Sequence, residues 1–173
     1  MGGLWLGQGV NAMKRALMPP MRMLLAGLTL GAVSRLLDMF TQNLGNIFSQ
    51  LSIWILLGVL IVLHSPTRKQ AMLNILPFCL GMLATYYLVA VLTKGVYSRI
   101  FITGWTLFAF LSPVLAYFTW MTKQPGLFAR LIAIGIVLIS VVSTLLLFDR
   151  LRIYDLAINA GLVYALFFRK AER

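Results

Sequence analysis

Acidic residues are scarce in this chain, and so are the side chains that build catalytic and metal centres. Of its 173 residues only four are Asp or Glu, and it has one histidine and one cysteine. A His/Cys metal cluster cannot be assembled from this chain alone, and Cys79 has no second cysteine for an internal disulfide. HExxH, GxSxG and phosphate-binding glycine motifs are absent as well. The sequence therefore predicts no enzyme, no metal and no cofactor.

Charge is low overall, whereas apolar residues are abundant. The chain is 61% hydrophobic and 11% charged, while soluble domains have about 45–50% apolar and about 25% charged residues. A water-soluble surface cannot be built from so few charges, but a bilayer accepts the surplus apolar surface. A barrel would need alternating strands of about 10 residues, and the runs here are roughly twice that length. We therefore expect one all-α integral membrane domain.

The apolar runs predict six transmembrane helices, since a span needs about 20 mainly apolar residues. The expected spans are Met21–Leu37, Ile47–His64, Ala71–Lys94, Arg99–Met121, Leu127–Phe148 and Ile153–Phe168. Turn residues separate them, most clearly in the segment Gln124-Pro125-Gly126. The connections are short, so sequential helices should be antiparallel neighbours.

The two termini are predicted to lie outside the membrane domain. We expect residues 1–20 to be a cytoplasmic extension, residues 21–168 the six-helix domain and residues 169–173 a cytoplasmic tail. Residues 1–12 read as a disordered extension, because Met13 resembles an alternative start. Pro19-Pro20 should stand just before the first helix, where proline is tolerated.

The distribution of Lys and Arg predicts the orientation. Ten basic residues fall on the side of both termini and five on the other side. Three of the four acidic residues lie on the side with the five basic residues. The prediction is a multi-pass protein of the cell inner (plasma) membrane with both termini cytoplasmic. Because the basic residues are scattered over short loops, a nucleic-acid partner is not expected. The expected partner is membrane lipid.

Small residues form stripes on two helices, where they permit close helix packing. Gly27 and Gly31 make a GxxxG pair in the first helix, and Ala157, Gly161 and Ala165 make a stripe in the sixth. These residues pack either within the bundle or against a partner helix.

Polar residues concentrate towards the predicted outer side, where they suggest a pocket for a small solute. Polar groups in a membrane usually face the bundle interior or a wet cavity. The predicted substrate-binding residues are Arg35, Asp38, Gln50, Tyr86, Trp105, Asp155 and Asn159. Arg35 continues the Gly27–Gly31 face and can pair with Asp38 on the helix surface, and it would be the counter-charge for an anionic solute.

Structural interpretations of the same residues remain open. Lys94, Tyr97, Arg99, Arg150 and Arg152 can be simple interface anchors. Arg35 with Asp38 can be an ion pair that locks two helices, and Asn159 can make an interhelical hydrogen bond without a ligand. His64 is interpreted as a loop residue.

The six short helices, the small-residue first helix and the outward polar residues resemble the S components of energy-coupling-factor transporters. That resemblance implies capture of a vitamin or similar solute, a membrane coupling subunit and two cytoplasmic ATPases. It also implies that Gly27 and Gly31, or the neighbouring Ala26 and Ala32, dock onto the coupling subunit. The segment 43–49, Asn-Leu-Gly-Asn-Ile-Phe-Ser, is similar to uncharacterised bacterial six-helix membrane proteins.

Three hypotheses about function follow from the sequence. The first is a substrate-binding membrane subunit for uptake of a small solute. The second is a structural or regulatory membrane protein with no transported ligand, which predicts a closed core and a paired Arg35. The third, a lipid-modifying enzyme, would need a charged site at headgroup depth.

Overall fold

The computed structural model describes residues 3–40, 50–93, 99–148 and 152–168, which are helical apart from short connections and contain no strand. The helices are α1 (Gly3–Phe40), α2 (Leu51–Leu63), α3 (Arg68–Leu92), α4 (Arg99–Met121), α5 (Leu127–Phe148) and α6 (Ile153–Val163). A π-helical turn, Tyr164–Phe168, continues α6. These residues therefore form an all-helical bundle.

Four helices contain a segment that is long and apolar enough to cross a membrane. These segments are Pro20–Phe40, Arg68–Leu92, Ile102–Met121 and Leu127–Leu146. α2 and α6 with its π turn are apolar but shorter. Large apolar side chains such as Leu107, Phe110 and Leu138 are more than half exposed on α4 and α5, a surface that soluble monomers rarely carry. The chain has the character of a membrane protein.

The helix boundaries agree closely with the predicted spans. α4 and α5 begin and end at the predicted residues, as does α6 with its π turn. α3 begins at Arg68, three residues before the predicted Ala71. The reason is a cap, because the Thr67 hydroxyl accepts a hydrogen bond of 3.1 Å from the backbone N–H of Gln70. The predicted start of the second span, Ile47, lies outside the described residues.

The predicted start of the first helix is wrong. α1 runs without interruption from Gly3 to Phe40, so residues 3–20 are helical and Pro19-Pro20 lie inside the helix. Proline in a helix interior removes its own N–H donor and crowds the preceding turn. Neither effect ends the helix here, since the residues on both sides of the two prolines are helical.

α2 occupies the centre of the bundle and packs against α3, α4, α5 and α6. Short connections at 64–67 and 122–126 reverse the chain, so that α2 and α3 are antiparallel, as are α4 and α5. The indole N–H of Trp120 donates to the Ser65 carbonyl at 3.2 Å, which places the ends of α4 and α2 side by side. We call this the inner end of the bundle, and the end where α2 and α6 begin the outer end.

α1 and α3 form a parallel pair in very close contact. A Cβ added to Gly27 would lie 2.1 Å from the Phe78 carbonyl oxygen, and one added to Gly31 would lie 2.2 Å from that of Met82. The residue numbers on the two helices rise together by four, so the helices run in the same direction and in register. The absence of a side chain at both glycines is what permits this approach.

Candidate functional site

The seven predicted substrate-binding residues lie in three separate places. Arg35, Asp38 and Tyr86 meet where α1 packs on α3. Gln50 precedes α2, and Asp155 and Asn159 lie on α6, which packs against α2. Trp105 lies on α4. The predicted single pocket is therefore three groups of residues, each with its own surroundings.

Arg35 continues the packed glycine face of α1, as its spacing predicts. Its Nη1 donates to Oδ2 of Asp38 at 2.6 Å, three residues along the helix. Its guanidinium carbon lies 5.5 Å from the centroid of the Tyr86 ring, a cation–π contact between α1 and α3. Because Arg35 is 9% exposed and already paired with a carboxylate, its charge is neutralised within the protein.

Asp155 caps the N-terminus of α6 and is fully buried. Its Oδ2 accepts a hydrogen bond of 2.8 Å from the backbone N–H of Arg152, and this closes the first turn of the helix. One turn later the Asn159 amide donates to the Asp155 main-chain carbonyl at 2.8 Å. Within the described residues Oδ1 of Asp155 and Oδ1 of Asn159 have no hydrogen-bond partner, although both atoms are buried.

Gln50 immediately precedes α2, the helix against which α6 packs. A Cβ added to Gly161 of α6 would lie 3.7 Å from Leu56 of α2, so these two residues face each other. Gln50 precedes Leu56 by six residues and Asp155 precedes Gly161 by six, so both polar residues belong to the outer ends of the packed helices α2 and α6. Gln50 is fully buried as well, and its Oε1 accepts from the Ser52 hydroxyl at 3.2 Å.

The buried polar group formed by Gln50, Asp155 and Asn159 is called the outer polar group below. Nε2 of Gln50 is a donor without a hydrogen-bond partner in the described part of the chain, as Oδ1 of Asp155 and Oδ1 of Asn159 are acceptors without one. Each buried group left in this state costs about 1–3 kcal/mol. Three of the six such atoms among the described residues belong to the outer polar group, and the other three are Nε of Arg35, Oδ1 of Asn74 and Oγ of Ser140.

Trp105 does not join the outer polar group. It lines a cavity of about 20 Å³ together with apolar residues of α2 and α3, including Trp54 and Phe78. A cavity of this size admits about one water molecule, whereas pockets for drug-sized ligands measure about 300–1,000 Å³. The cavity beside Trp105 is therefore too small to hold a vitamin-sized solute.

The predicted small-residue stripes are used unequally. Gly27 and Gly31 are covered by α3, so this face of α1 is occupied within the chain. On α6, Gly161 faces α2 and Ala157 is exposed, whereas Ala165 is buried in the following π turn. Steps of four residues advance about 40° around a helix of 3.6 residues per turn, so the stripe drifts off the buried face.

The interface residues are only partly within the described chain. Lys94, Tyr97 and Arg150 lie outside it. Arg99 is exposed at the start of α4. The Arg152 guanidinium contacts the Tyr154 ring and hydroxyl. Among the described residues no group of three or more His, Cys, Asp or Glu side chains is placed to hold a metal ion.

The inner end carries a hydrogen-bonded cluster that the sequence did not indicate. Nζ of Lys123 donates to the carbonyls of Leu63 and Ser65 at 3.1 Å each, at the end of α2. The Asn74 amide donates to the Ser65 hydroxyl at 3.1 Å. Burial lowers the pKa of Lys123, which lies in the connection between α4 and α5. The sequence shows only that Lys123 lies between two apolar runs. It does not show which carbonyl groups the side chain contacts.

His64 caps the end of α2 and is exposed, as its interpretation as a loop residue predicts. Its Nδ1 lies 2.7 Å from the Leu60 carbonyl oxygen, one turn earlier in the same helix. It contributes a local contact at the helix end.

The chain belongs to the DUF6518 family, a family of unknown function, whose model matches residues 10–143. The matched segment covers most of α1, all of α2, α3 and α4, and most of α5, and it stops before α6. No curated protein and no solved structure matches the chain.

Proposed function

We propose that this member of the DUF6518 family is a membrane-embedded substrate-binding subunit for uptake of a small solute such as a vitamin. The observation that carries the proposal is the outer polar group. Gln50, Asp155 and Asn159 are each at least nine-tenths buried in the bundle, and each has an atom without a hydrogen-bond partner in the described residues. Unpaired polar groups are expensive in a membrane protein, so they usually have a functional use.

The atoms of the outer polar group favour a particular solute chemistry. Oδ1 of Asp155 and Oδ1 of Asn159 are acceptors, and Nε2 of Gln50 is a donor. A solute with one or more N–H or O–H donors and a nearby acceptor would complement all three atoms. Because Arg35 is paired with Asp38, an anionic solute has less to gain here than a neutral or cationic one.

The proposal includes a place and a mode of action. Both termini lie in the cytoplasm and the outer polar group faces away from it, as the Lys and Arg distribution favours. The bundle must open to admit a solute, because the outer polar group is enclosed. A separate membrane coupling subunit and cytoplasmic ATPases supply the energy. That coupling subunit would dock on a surface other than Gly27 and Gly31, which α3 covers.

Native mass spectrometry of gently purified protein tests this proposal. The wild-type protein should carry a small molecule, and the occupied fraction should fall in Gln50→Leu and Asp155→Asn. Asn74→Leu is the matched control, because Asn74 is equally buried but belongs to the inner end. A wild type with no adduct, or equal occupancy in all four proteins, would contradict the proposal.

A structural or regulatory membrane protein without a transported ligand is the second candidate. The paired Arg35 and Asp38 favour it, and so does the tight packing at Gly27 and Gly31. It predicts that the wild-type protein carries no small-molecule adduct, so that Gln50→Leu and Asp155→Asn cause no loss of one.

A further inference from the structure

The inner end of the bundle carries a basic and aromatic surface that the proposed function does not use. It consists of Arg68 and Lys69 at the start of α3, Tyr117 and Trp120 near the end of α4, and Lys123 in the following turn. We call these five residues the inner basic surface.

Arg68 is held over two aromatic rings. Its guanidinium carbon lies 5.6 Å from the Tyr117 centroid and 5.1 Å from the Trp120 centroid. Nζ of Lys123 lies 5.4 Å from the same Trp120 ring. Trp120 itself is anchored by its bond to the Ser65 carbonyl. The Trp120 indole, which is held by this hydrogen bond, therefore contacts both Arg68 and Lys123.

The donors of Arg68 are free to bind an acceptor. Arg68 is exposed, and within the described chain its guanidinium contacts aromatic rings and donates none of its five N–H groups to an acceptor. Lys123, in contrast, uses two of its three N–H donors on the carbonyls of Leu63 and Ser65. An arginine stacked on rings presents its planar fork at low cost in entropy, which suits bidentate binding of a phosphate.

No carboxylate in the described chain lies at this end to neutralise the surface. The described acidic residues are Asp38 and Asp155, and both lie at the outer end. Arg130, one turn into α5, adds a further exposed cation. Tryptophan and tyrosine at the end of a membrane helix lie at headgroup depth. The anion that meets a surface at this depth is a lipid phosphate.

We propose that the inner basic surface binds the headgroup of an anionic phospholipid, with Arg68 contacting the phosphate. The site is separate from the outer polar group and does not depend on the proposed uptake function. Zwitterionic lipid shares the phosphate but carries a compensating cation, so the surface prefers a lipid with net negative charge.

Native mass spectrometry in detergent with added lipid tests the proposal. The wild-type protein should bind phosphatidylglycerol in preference to phosphatidylcholine, and Arg68→Gln should weaken phosphatidylglycerol binding by about fivefold. Arg99→Gln is the matched control, because Arg99 is also an exposed first residue of a helix but at the outer end. It should bind as the wild type does.

Three outcomes would overturn the proposal. They are equal binding of the two lipids by the wild type, unchanged binding by Arg68→Gln, and displacement of the lipid by an equal concentration of inorganic phosphate. If Arg68→Gln does not fold, Arg68→Lys replaces it, since lysine keeps the charge and loses the planar fork. Weaker phosphatidylglycerol binding by Arg68→Lys supports the proposal, and wild-type binding refutes it.

Discussion

Alanine at position 27 should separate two helices that now touch through their backbones. The added Cβ would lie 2.1 Å from the Phe78 carbonyl oxygen, and that oxygen belongs to the α3 backbone and cannot rotate away. Ordinary van der Waals contact begins at 3.4 Å. Moving the atoms from 2.1 Å to 3.4 Å requires a shift of about 1.3 Å between α1 and α3.

The expected cost of Gly27→Ala follows from this shift. Overpacking of a close contact costs about 1–3 kcal/mol. The shift also strains the hydrogen bond of 2.8 Å from the Thr85 hydroxyl to the Leu28 carbonyl, for which about 0.6 kcal/mol is typical between membrane helices. Alanine regains up to about 1 kcal/mol through its helix propensity. The net loss should be about 2 kcal/mol.

Equilibrium unfolding in mixed detergent and SDS micelles, followed by tryptophan fluorescence, measures this loss. Gly135→Ala is the matched control, because Gly135 also lies within a helix but a Cβ added there meets nothing within 4 Å. It should unfold at the same or a higher SDS fraction than the wild type. Equal stability of Gly27→Ala and Gly135→Ala would refute the close packing of α1 on α3.

Three further changes test other contacts by the same unfolding assay. Thr85→Val removes the hydroxyl bond to Leu28 and should cost about 0.6 kcal/mol; a cost of zero would show that the bond does not join the helices. Lys123→Met removes two hydrogen bonds to carbonyls at the end of α2 and should cost about 1 kcal/mol, and a gain in stability would contradict that role. Asp155→Ala should cost about 1 kcal/mol because it loses the cap on the Arg152 amide. Asp155→Asn retains a capping oxygen and should be more stable than Asp155→Ala; the reverse order would argue against the cap.

Helix boundaries in this chain were predictable where local signals agree. The segment Gln124-Pro125-Gly126 ends one apolar run and precedes the next, and α4 and α5 begin and end accordingly. The left-handed backbone at Gly126, with φ of 128°, is the kind of position that glycine favours. Pro19-Pro20 misled the prediction, because proline marks a helix start only statistically and α1 continues through both residues.

The candidate site was predictable within a helix but not between helices. The three-residue spacing of Arg35 and Asp38 predicted their pair, and the four-residue spacing from Gly31 placed Arg35 on the face that packs on α3. That Gln50 and Asp155 lie on two helices that pack together, α2 and α6, depends on tertiary packing, which no local pattern in the sequence specifies. The packing of the bundle, which is tertiary information, decides which polar residues share a site.

The most direct test of the proposed outer site is its accessibility from the outer aqueous side. Single cysteines would replace Asn159, Asn74 or Ile153 in a Cys79→Ala background. Intact cells that carry each variant would then be treated with a membrane-impermeant maleimide. Ile153 is 87% exposed at the outer start of α6 and should react fastest. The uptake account predicts slower but measurable labelling of Asn159→Cys and none of Asn74→Cys. An Asn159→Cys protein that stays unlabelled while Ile153→Cys reacts would contradict it.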